Sequence, residues 1–255
     1  MPLTLFPLQG FPLVKPGDEL SNLIADTLLK NDLLLQDGDI LVVTQKIVSK
    51  AENRLVNLTL VQPSEKAMRY ASLTGKDPRL IELILSESEQ VLRTRHNLII
   101  VVHRLGFVCA NAGIDHSNVS GSWGEPEDWV LLLPENPSTS AKKIRQKLEE
   151  RAHCQIGVLI IDSHGRAWRM GTVGVTIGLS GLPGLVDLRG QADLFDYHLR
   201  VTQVAAADEL AAAASLVMGQ ANEGTPVVLV RGFPYPLRES NLSELIRPQT
   251  RDLFR

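Results

Sequence analysis

The chain has 255 residues, 44% hydrophobic and 22% charged, with a net charge of -3; that balance suits a soluble globular protein with a substantial core. No Lys/Arg block provides the electrostatic footprint of a nucleic-acid binder, and no window approaches the roughly 20 apolar residues needed to cross a bilayer. Cys109 and Cys154 are too few for a disulfide framework and lack metal-site spacing, and the N-terminus lacks a signal-peptide pattern, so a cytoplasmic protein is expected.

After a Pro-rich opening, Asp18 can cap a helix whose apolar residues Leu20, Leu23, Ile24 and Leu28 recur at helical spacing, ending near Asn31. A Gln36 to Asp39 turn launches Ile40–Val43, a short apolar run of the kind a buried strand makes, followed directly by the polar residues Thr44, Gln45 and Lys46. Asp77 and Pro78 form a cap and first-turn signal for a helix carrying Leu80, Ile81, Ile84 and Leu85, and a strand is expected at Leu98–Val102. The Gly113–Pro126 segment is rich in Gly, Ser, Asn and Asp and reads as a functional loop before the apolar run Trp129–Leu133. Ser138, Thr139 and Ser140 can cap a helix with the stripe Ala141, Ile144, Leu148 and Ala152, which feeds a strand at Gly157–Ile161. From Met170 to Gly190 the glycine density argues for close backbone approach or positive φ rather than helix. An Ala-rich stretch predicts one long helix over Tyr197–Met218, then a strand at Val227–Val230 and an irregular tail beyond Gly232.

Asp115, Asp162 and Gln220 fall where strands or helices run into loops, the usual place for a scaffold to present ligands. Two carboxylates, an amide oxygen and the Ser163 hydroxyl would suit a hard divalent cation such as magnesium or manganese. Taken singly, each loop Asp is more often a turn former or cap. Lys46 and Lys50, just past a strand, can neutralise phosphate as point charges, or form an ordinary solvated face. The glycine-dense run after Arg169 can bring backbone N–H groups near phosphate, yet no P-loop or dinucleotide fingerprint occurs. The six histidines lack metal-ligand spacing; His116 and His164 lie near proposed ligands and read more readily as ordinary, partly exposed histidines.

Several stretches together resemble the coenzyme F420:L-glutamate ligases. They are DGDILVVTQKIVSKAE from Asp37 to Glu52, FVCANAGIDHSN from Phe107 to Asn118, DSHGRAWR from Asp162 to Arg169, and the run from Gly171 through QVAAADEL (Gln203 to Leu210) to MGQANEGTP (Met218 to Pro226). They occur in the family's order and span nearly the whole chain. The resemblance implies an α+β fold of mixed sheets and packed helices, a single ligase domain over residues 1–255 with room for two subdomains, and an intertwined homodimer. It implies GTP as energy source, two divalent cations (Mg2+ or Mn2+), and potassium as a candidate monovalent cofactor. Carried onto matching positions, Asp115 and Asp162 would hold one metal, with Ser163 and Gln220 on the other. GTP would meet Phe11, Pro12, Leu13, Val14, Gln45, Lys46, Lys50, Asn118 and the loop Met218, Gly219, Gln220, Ala221, Asn222, Glu223, Gly224 and Thr225. Where the family often has Ser before the metal Asp and Thr after it, Ile161 and Ser163 stand here; the hydroxyl donor survives. Some members carry a C-terminal nitroreductase-like domain, which is not expected in this chain.

The activity implied is GTP-dependent addition of L-glutamate, through a γ-glutamyl amide linkage, to a deazaflavin cofactor precursor. A carboxylate becomes reactive toward an amine once phosphorylated to an acyl phosphate, and metal ions offset the charge repulsion. On this reading the aspartates act as metal ligands, and no further catalytic side chain is assigned. The alternatives are a nucleotide-dependent amide ligase for another carboxylate and a catalytically silent cofactor-binding homologue.

Overall fold

The computed structural model describes residues 2–253. In chain order its elements are β1 (Thr4–Pro7), α1 (Leu20–Lys30), β2 (Ile40–Thr44), α2 (Gln45–Ala51), β3 (Leu55–Asn57), α3 (Glu65–Thr74), α4 (Pro78–Ser86), β4 (Ser88–Arg95), β5 (Leu98–His103), β6 (Val108–Ala110), β7 (Trp129–Leu131), α5 (Pro137–Ala152), β8 (Gly157–Arg166), β9 (Arg169–Ser180), β10 (Val186–Asp187), β11 (Gln203–Val204), α6 (Ala206–Met218) and β12 (Val227–Arg231). Helices and several sheets mix along the chain, as an α+β protein requires.

The principal sheet runs β1-β12-β2-β8-β9. Its centre is mixed: β2 is parallel to β8 and antiparallel to β12. Because strand side chains alternate between faces, its apolar strands supply two cores. Leu41, Val43, Val158, Ile160, Val227 and Leu229 pack with the apolar stripes of α1, α2 and α5. The intervening Ile40, Val42, Leu159, Ile161, Val228 and Val230 face α6 through Ala207, Leu210, Ala211, Ala214 and Met218. The central strands are thus buried on both faces, which explains their unbroken apolar character.

A second region holds the antiparallel sheet β4-β5-β6 against α3 and α4, with a core of Ile81, Ile84, Ile99 and Val101. It is tied to the first by a buried ionic knot: Arg54 Nη2 donates to Glu87 Oε1 at 2.8 Å and Arg104 Nε to Glu87 Oε2 at 2.9 Å, while Arg54 Nε reaches the Leu133 carbonyl at 2.9 Å.

Several sequence expectations change. Asp18 does not cap α1; its carboxylate closes the preceding turn by accepting from Lys15 N at 2.7 Å, and Glu19 holds the cap position. Asp77 does cap α4, accepting from Arg79 N at 2.8 Å. α5 begins a few residues earlier than the Ser138–Ser140 signal, because Asn136 caps it and Pro137 opens its first turn. The helix expected over Tyr197–Met218 is confined to Ala206–Met218. Upstream, Gln203 and Val204 pair with β10 and His198 bridges to Ala192, so tertiary pairing takes residues whose composition favoured helix. The glycine-dense run is largely the extended strand β9. Within it Gly174 and Gly178 serve close approach: an added Cβ would stand 2.5 Å from the Ala211 carbonyl oxygen and 2.5 Å from Pro137, respectively. Gly171, Gly181 and Gly190 take positive φ. Helices α2 and α3 and strand β4 lacked a sequence signal: α2 is too short, and α3 and β4 are too polar to show a clear apolar period.

Candidate active site

Three chain segments meet at one end of the principal sheet because of its strand directions. The register sets Thr44 beside Ile161 and Val43 beside Val227, so β2 finishes, and the buried half of β8 ends, where β12 begins. The residues that leave β2, those that continue β8 past its buried half and the loop between α6 and β12 therefore share one rim. The fourth contribution, Asp115 to Asn118, comes from the long loop of the second region. A two-way backbone bridge pins Asp115 to Leu131: N–H to carbonyl distances are 3.0 and 2.9 Å. Further along, Trp129 donates from Nε1 to the Trp123 carbonyl at 2.6 Å, and Gly121 lies so close to the Trp129 ring that a Cβ there would come within 1.8 Å of it.

Between these segments lies a cleft of about 800 Å³. Its lining includes Phe11–Val14, Lys46, Lys50, Asp115, Asn118, Asp162, Ser163 and the whole Met218–Thr225 loop. Of the residues assigned to the metal or nucleotide site from sequence, Gln45 is the one absent from this lining; it is fully buried. Its amide reaches forward instead, Nε2 donating to Asp115 Oδ2 at 2.7 Å.

The oxygen donors form two groups. The first holds Asp115 and Asp162, whose side chains are 28% and 10% exposed. Burial raises the Asp115 carboxyl above the usual range and the Asp162 charge acts in the same direction, while the Lys46 ammonium, 3.2 Å from Oδ2, opposes both. Two carboxylates that feel one another in a partly desolvated cleft are a site that a divalent cation would relieve. In the second group, Ser163 Oγ donates to Gln220 Oε1 at 2.8 Å, and Gln220 Nε2 donates to Ser215 Oγ at 2.9 Å, which turns the amide oxygen toward Ser163. That 2.8 Å separation is close to the roughly 3 Å edge between neighbouring ligands around an octahedral ion with bonds of about 2.1 Å. Among the described residues no group of three or more His, Cys, Asp or Glu side chains is arranged to hold a metal. The donor set therefore fits a hard cation that completes its shell with substrate oxygens, not one caged by protein alone.

Cationic and backbone donors line the other side. Lys46 Nζ donates to the Ser117 carbonyl at 3.0 Å and its hydroxyl oxygen at 2.7 Å, so it is fixed rather than freely solvated. Burial lowers the Lys50 ammonium below its usual range, with the Lys46 charge adding to the effect. Two neighbouring, partly desolvated ammonium groups favour an anion between them. Asn118, at φ +56°, donates from Nδ2 to the Ala221 carbonyl at 3.0 Å and ties the long loop to the α6–β12 loop. In that second loop the Glu223 carboxylate accepts from Ala221 N at 2.8 Å, and backbone donors hold its carboxyl below the usual range. The Ala221 N–H is thus taken up within the loop by Glu223.

Three residues beyond the expected set take part. Ser117 holds Lys46, Ser215 orients Gln220, and His164 Nε2 stands 3.0 Å from Asp162 Oδ2 with its ring tilted against Phe107. Ser117 had a signal, lying between Asp115 and Asn118; Ser215, mid-helix, had none. His116 is absent from the cleft lining.

The model of the family described as F420-0:Gamma-glutamyl ligase matches residues 10–232. The chain is 45% identical to the coenzyme F420:L-glutamate ligase of Methanothermobacter thermautotrophicus, over 100% of both chains. It is 45% identical to the ligase of the same name from Methanopyrus kandleri, over 95% of this chain and 93% of that one. Against that of Methanocaldococcus jannaschii the identity is 41%, over 96% and 94%.

Proposed function

Because the chain belongs to the F420-0:gamma-glutamyl ligase family, we propose that it joins L-glutamate to a carboxylate of a coenzyme F420 precursor through a γ-glutamyl amide linkage, with GTP as energy source and Mg2+ or Mn2+ at the cleft. The observation that carries this reading is the meeting, in one cleft, of Asp115, Asp162, Ser163 and Gln220 with Lys46, Lys50 and the Met218–Thr225 loop.

A carboxylate resists an amine because its oxygen is a poor leaving group. Transfer of the GTP γ-phosphoryl group to that oxygen gives an acyl phosphate and GDP; the glutamate amine then attacks the acyl carbon, phosphate departs and the amine loses a proton. Asp115 and Asp162 would hold one divalent ion, with Ser163 and Gln220 on a second, and such ions supply neutralisation of charge between phosphate and carboxylate. Lys46 and Lys50 bind the anionic phosphates, Lys46 already held in place by Ser117. The Phe11–Val14 segment gives the cleft an apolar wall suited to a nucleoside base. Asn118 keeps the two loops at a fixed separation. Catalysis on this scheme is positioning plus electrostatic stabilisation. A monovalent ion such as potassium is part of the same proposal.

A homodimer completes the reading. Trp168 and Met170 at the β8–β9 turn, Leu194, Phe195 and Val201 in the β10–β11 loop, and Leu216 on α6 are each more than four-fifths exposed, an apolar load that a second copy would cover. No helix among the described residues is long and apolar enough to cross a membrane.

Purified protein incubated with GTP, Mn2+, L-glutamate and the precursor should yield a product heavier by one or more glutamyl units, with GDP and phosphate released in step. GTP consumption only with a different carboxylate would redirect the acceptor; no GTP consumption with any acceptor would favour a silent cofactor-binding role.

A further inference from the structure

Gln45 is fully buried, yet it lies directly behind a cleft residue. Its amide is fixed from both sides. Ser49, one helical turn along α2, donates from Oγ to Gln45 Oε1 at 2.9 Å, while Gln45 Nε2 donates to Asp115 Oδ2 at 2.7 Å. Flipping the amide would set its oxygen against a carboxylate, whereas the Ser49 hydroxyl could accept from the N–H group as readily as it now donates to the oxygen. The Asp115 carboxylate therefore selects the orientation and the Ser49 hydroxyl anchors the amide from its other side.

The consequence falls on Asp115. The Gln45 amide and the Lys46 ammonium, at 3.2 Å, both converge on Oδ2, and no hydrogen bond from the described residues reaches Oδ1. The Asp115 backbone is held by its paired bonds to Leu131. One oxygen is committed to the protein and the other is left for the cleft.

We propose that Gln45 is a positioning residue: it holds the Asp115 carboxylate so that Oδ1 faces the cleft as a ligand for a divalent cation, and it does not itself contact the nucleotide. The proposal rests on the metal-dependent ligase reading above. Groups that orient a metal ligand from behind change metal affinity by about 10- to 100-fold when removed.

The test uses the full chain and Mn2+ alone, titrated by the electron paramagnetic resonance signal of the free ion, with steady-state kinetics and melting curves alongside. Gln45→Met keeps length and removes the donor; it should weaken Mn2+ binding by about 10- to 100-fold and lower kcat, with the KM for GTP near the wild-type value. Ser49→Ala leaves every Gln45 atom in place but frees the amide, and should shift Mn2+ affinity in the same direction by less. Wild-type Mn2+ affinity in Gln45→Met, or a raised KM for GTP with unchanged kcat, overturns the positioning role while leaving the ligase reading intact. If wild-type protein binds no Mn2+, the metal-based reading falls and this inference with it. Should Gln45→Met melt much lower than wild type, Ser49→Ala decides: unchanged Mn2+ affinity there overturns the proposal.

Discussion

Asp162 is where β8 passes from buried core to cleft, and its side chain has His164 Nε2 3.0 Å away and no lysine partner among the described residues. Asp162→Asn keeps size and the strand while removing the charge. On the proposed function it should lower kcat by on the order of 100-fold or more, since a metal-site charge is worth several kcal/mol in the transition state, and the melting temperature should stay within a few degrees of wild type. Turnover near wild type would remove Asp162 from the ligand set. At this scale, the chemistry of the donors could be read from residue types: carboxylates, a hydroxyl and an amide at strand or helix ends. Their partners could not. Gln45 and Asp115 are 70 residues apart, as are Lys46 and Ser117 at 71, and nothing local in the chain announces which side of an amide faces which carboxylate.

The elements carry the site through two close contacts that only glycine permits. At Gly174 an added methyl would stand 2.5 Å from the Ala211 carbonyl oxygen and 2.6 Å from Ser215 Cβ, so Gly174→Ala must push α6 off β9. The expected cost is about 1–3 kcal/mol, typical of overpacking, and Ser215 and Gln220 should retreat with the helix; calorimetry together with Mn2+ titration measures both effects. Gly121→Ala acts on the other wall. Its Cβ would collide with the Trp129 ring, and displacing that ring should loosen the loop that carries Asp115 and Asn118. A rise in KM for GTP with a lower melting temperature is expected; normal values of both would show that the loop has another anchor. Glycine density signalled close approach before any coordinates, and the strand ends with their polar tails were evident from hydrophobic runs. The length of α6 was not, because an Ala-rich sequence has no means of declaring that its first third pairs with a strand elsewhere.

At the scale of the molecule, the junction between its two regions is expected to respond to pH. His103 is wholly enclosed, accepts from Leu105 N at Nδ1 and has no hydrogen-bond partner at Nε2 among the described residues. Burial lowers it to about 4; Glu87 opposes this, while Arg104, His164 and Arg54 add to it. For a base whose folded-state value lies below its unfolded one, the unfolded chain binds the extra proton. Stability is therefore full above about pH 6.5 and falls as pH drops toward about 4, by on the order of 3 kcal/mol at the acid end. Melting curves across that window should show the loss, and His103→Gln, which cannot titrate, should flatten it. The exposed apolar residues of the β8–β9 turn and the β10–β11 loop give the second whole-molecule prediction: light scattering should return twice the 28.0 kDa chain mass, and Trp168→Glu together with Phe195→Glu should return a monomer; a monomeric wild type would overturn the proposed dimer. The amino-acid sequence by itself determined the class of fold, the buried strands, the family and the kinds of donor at the site, because hydrophobic runs, turn residues and motif order are properties of neighbours along the chain. Only the tertiary structure decided that β2 runs parallel to β8 and antiparallel to β12, and with it that their ends share one rim. It also decided that Gln45 faces a carboxylate from behind the cleft, since strand order and side-chain direction come from packing between segments far apart in sequence.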